Sequence, residues 1–404
     1  LRVGGPGALN SIWAEDGRYF LSDALTLGAR EAVTNSINGY FLIGPRLLAE
    51  VASKFPVEYA APVLTIEAAL IAAILGLIVY VASAAYLRQP ALRLLVSVPA
   101  VITPVAVNIV DNNVATLQFP LLYTMFWALL WRPSTRWGQV VGVGVIVFGS
   151  LTTPLGIALI PLALLRFAVI CEKIYGTLLL VGLSAGVAMQ FVPLSLGWTT
   201  RGVTTPRYDV PWVLGDFVTK AVPQAIFGET WMGGGDWLTF PEWTRGGHYA
   251  DTSVNPFWHL SLIVAAWLIV GALVVMALRR AKPNWSLAAL AFAYSAGIFA
   301  LQGMTSGGTP ARYLVVPVLL LLTAAAALLD GSERLPQLAF LALIAVVCVA
   351  NFRAESFRTY TTPWTQIVQE ARDKCADPQV AEVVLLTGMP QLLWDVKVPC
   401  YKVR

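Results

Sequence analysis

The sequence predicts an all-α polytopic membrane protein of about ten spans, with a small extracytoplasmic α/β appendage at the C-terminal end. Three observations carry this expectation. Of 404 residues, 57% are hydrophobic and only 12% charged, about half the charge of a soluble domain. Mean hydropathy is +0.69, and apolar runs repeatedly approach or reach the ~20 residues that span a bilayer. Lys and Arg also alternate between successive short loops, as the positive-inside rule requires.

The chain opens with "LRVGGPG", a loop-like stretch without the apolar core of a signal peptide. A further transmembrane helix is expected upstream of Leu1. "IWAEDGRYF" follows, with adjacent carboxylates Glu15 and Asp16 between aromatic residues. In "NGYFLIGPRLLAEVASKFP", Pro45 suits a first helical position. Arg46, Glu50 and Lys54 then share one face, and Leu47, Leu48, Val51 and Phe55 the other. This pattern predicts a short amphipathic helix lying in the membrane interface.

Spans are expected at 59–87, 92–108, 114–131, 137–151, 155–171, 174–196, 257–278, 285–301, 313–329 and 335–351. The basic turns contain Arg88 and Arg93, Arg132 and Arg136, Arg166 and Lys173, Arg279 to Lys282, and Arg334. These mark the cytoplasmic side. Residues 1–58, the long loop 197–256 and the tail 352–404 then share the outer face. The domain organisation is thus a first outer loop (1–58), a transmembrane bundle (59–351) and a C-terminal appendage (352–404).

The long loop is rich in Trp and Gly, and its tryptophans, including Trp231, suit either the interface or a sugar-stacking surface. In the tail, "PWTQIVQEARDKC" has helical spacing, while "AEVVLLTG" and "WDVKVPCYKV" read as strands. Cys375 and Cys400 are the candidate disulfide if the tail lies outside the cytoplasm. Cys171 and Cys348 fall in apolar runs and read as inert core thiols.

Composition excludes some classes. Net charge is +4 with no basic tract, so nothing argues for nucleic acid. Two histidines and no CxxC or HExxH leave no metal motif. Four polar features remain. Asp111, Asn112 and Asn113 suit a helix cap, with Gln118 one turn further in, near a polar cavity. Arg312 and Tyr313 follow the Gly-rich "TSGGTPA", where the arginine either snorkels or meets an anionic headgroup. Glu67 is an acid inside the first span, where ionisable groups usually face a partner or cavity.

These residues and their topological address carry a family resemblance. The first loop reads W-x-E-D-G-x-x-F (Trp13, Glu15, Asp16, Gly17, Phe20). It continues as G-Y-x-x-x-x-P-R-L (Gly39, Tyr40, Pro45, Arg46, Leu47). An N-x-x-x-x-Q element (Asn113, Gln118) and R-Y (Arg312, Tyr313) follow. The chain resembles the GT-C glycosyltransferases, polytopic enzymes that use polyprenyl-phosphate sugars, and more closely a bacterial group with this first loop. The resemblance implies a GT-C-like bundle in the bacterial plasma membrane. It also implies transfer of a sugar from the lipid donor to a glycan, glycolipid or glycoprotein acceptor of the cell envelope, with inversion.

By that resemblance Asp16 is the general base and Glu15 a supporting carboxylate. Arg46 and Arg312, with Arg18 and Lys54 behind them, bind the donor phosphate. Asn113, Gln118, Tyr313 and Trp231 line the acceptor side or the cavity. No cofactor is required. The pair is Glu-Asp where the family has Asp-Asp, which leaves a divalent metal open but unindicated. Two other classes compete: a transporter or flippase of a lipid-linked substrate, which favours several intramembrane charges and inverted repeats, and a non-catalytic membrane scaffold.

Overall fold

The computed structural model describes residues 5–106, 112–169, 173–200, 206, 208–232, 256–280, 282–353, 358, 361–387 and 394–404. Asp111, Cys171 and the tryptophan-rich stretch 233–255 lie outside them. The fold is mostly helical. Among the described residues six segments are long and apolar enough to cross a membrane: Val57–Ala85, Lys173–Ser195, Phe257–Arg279, Trp285–Ser306, Ala311–Leu329 and Arg334–Arg353. Three shorter apolar helices accompany them, Pro90–Ala100, Ala115–Leu130 and Pro154–Val169. Six of the ten expected spans thus appear at full length among the described residues; at others the chain leaves helical geometry near prolines. It does so around Pro99 to Pro104, before Pro133 and at Pro154, where the ring removes a donor and restricts the preceding residue.

In chain order the main helices begin with α1 (Ser22–Thr26), α2 (Ala29–Thr34), α3 (Ile43–Ala52) and α4 (Ala60–Ala82). Then come α5 (Pro90–Ser97), α6 (Gln118–Leu130), α7 (Arg136–Thr152), α8 (Ile160–Val169) and α9 (Lys173–Ser195). The second half holds α10 (Val210–Asp216), α11 (Val222–Met232), α12 (Pro256–Arg280) and α13 (Trp285–Ser306). It ends with α14 (Val315–Leu329), α15 (Arg334–Arg353) and α16 (Trp364–Lys374).

Hydrophobicity all round a helix predicts a central position. Every residue of α6 after Gln118 is buried, and α14 is nearly as enclosed. Tyr123 Oη joins them, donating to Val96 O at 2.9 Å while lying 2.8 Å from Thr323 Oγ1. By contrast α4, α9 and α12 keep large apolar side chains exposed, as helices facing lipid must. Small residues let α7 and α9 approach closely: a Cβ at Gly142 would strike Tyr175, and one at Gly186 would strike Ser150.

A helix and a two-stranded sheet form where the tail's spacing predicts them. Strands β1 (Glu382–Leu386) and β2 (Asp395–Pro399) pair antiparallel, with Val383 opposite Val398 and Leu385 opposite Val396. Cys375 and Cys400 are joined in a disulfide. These elements do not stand alone. Trp364, Ile367, Val398 and Val403 share one apolar core with Ile12, Phe20 and Leu25 of the first loop. Ala61 and Leu64 of α4 and Val114, Ala115 and Leu117 complete that core. Trp364 Nε1 donates to Val57 O at 2.8 Å, and Ser22 Oγ accepts from Lys397 N at 2.9 Å. The first loop and the tail are thus one packed unit over one end of the bundle.

Candidate functional site

The acidic pair begins a π-helical turn, Asp16–Leu21, with Glu15 as its N-cap. Trp13 and Phe20 are buried beneath it. Asp16 is itself buried, only 2% exposed. Its two oxygens accept from the backbone of another segment: Val114 N donates to Oδ2 at 3.0 Å and Ala115 N to Oδ1 at 2.9 Å. Those amides open the helical stretch that runs into α6, so Asp16 caps it across 98 residues of sequence. A carboxylate at a helix N-terminus is favoured by the free amides and the dipole.

Desolvation nevertheless dominates, raising the Asp16 carboxyl from 3.8 to about 7. The two amide bonds and the Arg358 charge pull it down, and Glu15 pushes it further up. Glu15 is partly exposed, with no hydrogen bond or ion pair of its own among the described residues. Of the two carboxylates, Glu15 is therefore the one that meets solvent. Asp16, the expected general base, is thus the buried member of the pair.

Arg358 was not legible as a site residue, because a lone arginine after the last span carries no pattern. It is buried, and Nη1 donates to Ser11 O at 2.9 Å and Ser11 Oγ at 3.0 Å. Nη2 donates to Asn112 O at 2.6 Å. It thereby ties the tail to the first loop and to the turn before α6. Asn112 occupies the left-handed region, φ 57°, a conformation asparagine tolerates well. Asn113 is buried and its Oδ1 also accepts from Ala115 N, at 2.9 Å. It acts as a local cap. Gln118 is half-buried and donates to Ala115 O at 3.3 Å.

Arg46 departs from expectation. The amphipathic pattern placed Arg46 and Glu50 on an outward polar face. In the structure both are buried, while Leu47, Val51 and Phe55 are exposed. The polar face turns into the protein because a partner waits there. Arg46 Nη1 donates to Asp23 Oδ2 at 2.8 Å and Ala32 O at 2.6 Å, and its guanidinium lies 5.5 Å from the Phe20 ring centroid. Burial lowers its pKa, opposed by the hydrogen bond and charge of Asp23. Nε and Nη2 are buried without a partner, so the group has spare donors but no surface. A glycine sets the depth of α3: a Cβ at Gly44 would come within 2.9 Å of Thr152 Oγ1, to which Gly44 N donates at 3.1 Å.

The remaining expected residues are nearer the surface. Arg18 pairs with Asp395 of β2 at 3.5 Å. Lys54 pairs with Glu50 at 3.2 Å. Trp231, at the end of α11, is 38% exposed. Arg312 is half-buried and stacks on Tyr313, 5.3 Å from its centroid. Tyr313 packs edge-on against Phe119, centroids 6.4 Å apart. Phe119 lies one turn beyond Ala115, so Asp16 and the Arg312–Tyr313 pair approach the same end of one helix.

Two cavities lie elsewhere. An apolar cleft of about 10 Å³ sits between α3, α4, α6 and α7, lined by Pro45, Leu48, Leu117 and Phe148 among others. An open cavity of about 510 Å³ lies at the opposite end of α4, lined by Tyr86, Arg88, Asn284, Trp285 and Asp330 among others. Neither includes Asp16 or Arg312. Among the described residues no group of three or more His, Cys, Asp or Glu could hold a metal ion.

No family model, curated protein or solved structure matches this chain. The functional reading therefore rests on the residues and their arrangement.

Proposed function

We propose that this protein transfers a sugar from a polyprenyl-phosphate donor to a cell-envelope acceptor at the outer face of a bacterial plasma membrane. The reading includes ten membrane passes, four of them short, with the first loop, the long loop and the tail on the outer side. One observation carries it. A Glu-Asp pair and a half-buried Arg-Tyr pair gather at the N-terminal end of α6, beside the aromatic first loop.

The chemistry needs few groups. The acceptor hydroxyl attacks the anomeric carbon, its proton passes to a carboxylate, and the carbon–oxygen bond to phosphate breaks with inversion. Glu15, the accessible carboxylate, takes the proton. Asp16 fixes the turn that presents Glu15, and so acts as a positioning residue. The leaving group is a lipid phosphate, already a stable anion, and it needs a cation rather than an acid. Arg312 supplies that charge, with Arg18 and Lys54 at the rim. Gln118 and Tyr313 line the acceptor side.

The test is transfer by the purified protein in proteoliposomes given a panel of polyprenyl-phosphate sugars and an envelope-glycan acceptor. Acceptor-dependent release of polyprenyl phosphate is expected. Glu15→Gln should lower kcat by about 10²–10⁴-fold, the usual worth of a general base. Arg312→Ala should raise the donor KM.

A second reading, a non-catalytic scaffold, is favoured by the burial of Asp16 and Arg46 in structural contacts. It predicts no turnover with any donor, and full rescue of a deletion strain by Glu15→Gln.

A further inference from the structure

The first long helix carries a feature that the proposed activity does not use. Ile66, Leu70, Ile74, Leu77 and Val81 of α4 are all exposed, between 43% and 62%. Their spacing of four, four, three and four residues makes one continuous apolar stripe along the helix. Glu67 lies beside that stripe, half-buried, at the border between the packed and outward sides. Among the described residues it makes no hydrogen bond or ion pair, and its Oε2 is buried without a partner. It sits ten residues into the apolar segment Val57–Ala85, about 15 Å from the outer end at 1.5 Å per residue. If this segment spans the bilayer as its length and composition allow, ionisable side chains at that depth are costly and pair with something.

Among the described residues nothing pairs with Glu67. One turn away are Val63, Leu64, Leu70 and Ile71. Thr65, two residues before it, spends its hydroxyl on Ala8 O at 2.7 Å. The exposed cations of the other long spans stand at helix ends: Lys173, Arg279, Arg334 and Arg353. A second copy packed on the same stripe would bring another Glu67 and no cation at that depth.

We propose that the α4 stripe centred on Glu67 is the docking face for a transmembrane helix of a different protein, one carrying a lysine or arginine at matching depth. Charge complementarity supplies orientation and register, and the flanking Ile66, Leu70 and Ile74 supply the packing surface. In hydrocarbon, van der Waals packing and polar pairs, not the hydrophobic effect, hold helices together. A single complementary pair within an apolar stripe is therefore a specific address. The inference is independent of sugar transfer.

The test uses the full chain, fluorescently labelled, in phosphatidylcholine vesicles. The probe is a synthetic Leu/Ala helix of about 20 residues with one central lysine, compared with the same helix without it. Energy transfer should show the lysine helix binding about tenfold tighter. The preference should vanish in Glu67→Leu, which suits a lipid-facing site and preserves the fold, and should reverse towards a glutamate-bearing helix in Glu67→Lys. Circular dichroism and intact disulfide mobility check that each variant is folded. If Glu67→Lys does not fold, the loss of preference in Glu67→Leu decides alone. Equal binding of the two helices by the wild type overturns the proposal. So does self-association of the labelled protein, without peptide, that is lost in Glu67→Leu, since the occupant is then a second copy.

Discussion

Replacing Asp16 separates two contributions that act in opposite directions. Asp16→Ala leaves Val114 N buried with no acceptor, at a cost of about 1–3 kcal/mol. Ala115 N suffers less, because Asn113 Oδ1 still accepts from it at 2.9 Å. Asp16→Asn keeps one carbonyl oxygen, which Val114 N needs, and removes the charge. The sign of the charge effect follows from linkage. Burial raises the folded-state pKa from 3.8 to about 7, so the folded protein holds a proton that the unfolded chain has lost. Stability from this group is complete below about pH 4 and falls as pH rises to about 7, by about 4 kcal/mol at 1.36 kcal/mol per pKa unit.

Asp16→Ala should therefore be destabilised at every pH. Asp16→Asn should lack the decline between pH 4 and 7 and match or exceed the wild type at pH 8. Hydrogen–deuterium exchange over residues 112–118 reads the local effect, and denaturation midpoints at pH 5 and pH 8 read the linkage. A loss of about 1–3 kcal/mol speeds exchange about 5- to 150-fold. Unchanged exchange at Val114 in Asp16→Ala would refute the capping role. A decline with pH that persists in Asp16→Asn would refute the assignment of that decline to Asp16.

Removing Arg358 by substitution with Ala orphans the carbonyls of Ser11 and Asn112 and removes the charge that lowers Asp16. The pH midpoint of the Asp16-linked transition should move upward, measured by the same denaturation series. Arg46→Ala leaves Ala32 O without its donor and half-buried Asp23 with only the Asn35 Nδ2 bond at 2.9 Å, and should cost about 1–3 kcal/mol. Adding Asp23→Asn should recover part of that loss in a double-mutant cycle, and strict additivity would contradict the coupling. Cys375→Ser opens a link across 25 residues of sequence, worth about 3.5 kcal/mol in loop-closure entropy. Reductant should lower the wild-type midpoint and leave the variant unchanged.

Much of the architecture could be read locally. The apolar segments needed only composition, and the tail helix and both strands needed only periodicities of about 3.6 and 2. The disulfide needed only two cysteines outside the apolar runs. Span lengths were harder to read, because breaks near prolines border the three shorter apolar helices. The candidate site was legible as residue types but not as roles. An amphipathic pattern states that α3 has two unlike faces, and not which one turns inward. That choice fell to Asp23 and the Ala32 carbonyl, which give Arg46 a buried partner and leave Leu47 and Val51 outside.

The same division holds for the acidic pair. Sequence by itself determined that two carboxylates stand beside aromatic residues ahead of a membrane-spanning helix, because chain order and hydrophobicity are local properties. Tertiary structure alone decided that Asp16 is buried and Glu15 partly exposed. The amides that hold Asp16 lie 98 and 99 residues away, and the arginine that joins Ser11 to the turn before α6 lies 347 residues from that serine. Burial and pKa are set by such distant neighbours, and no local pattern encodes them.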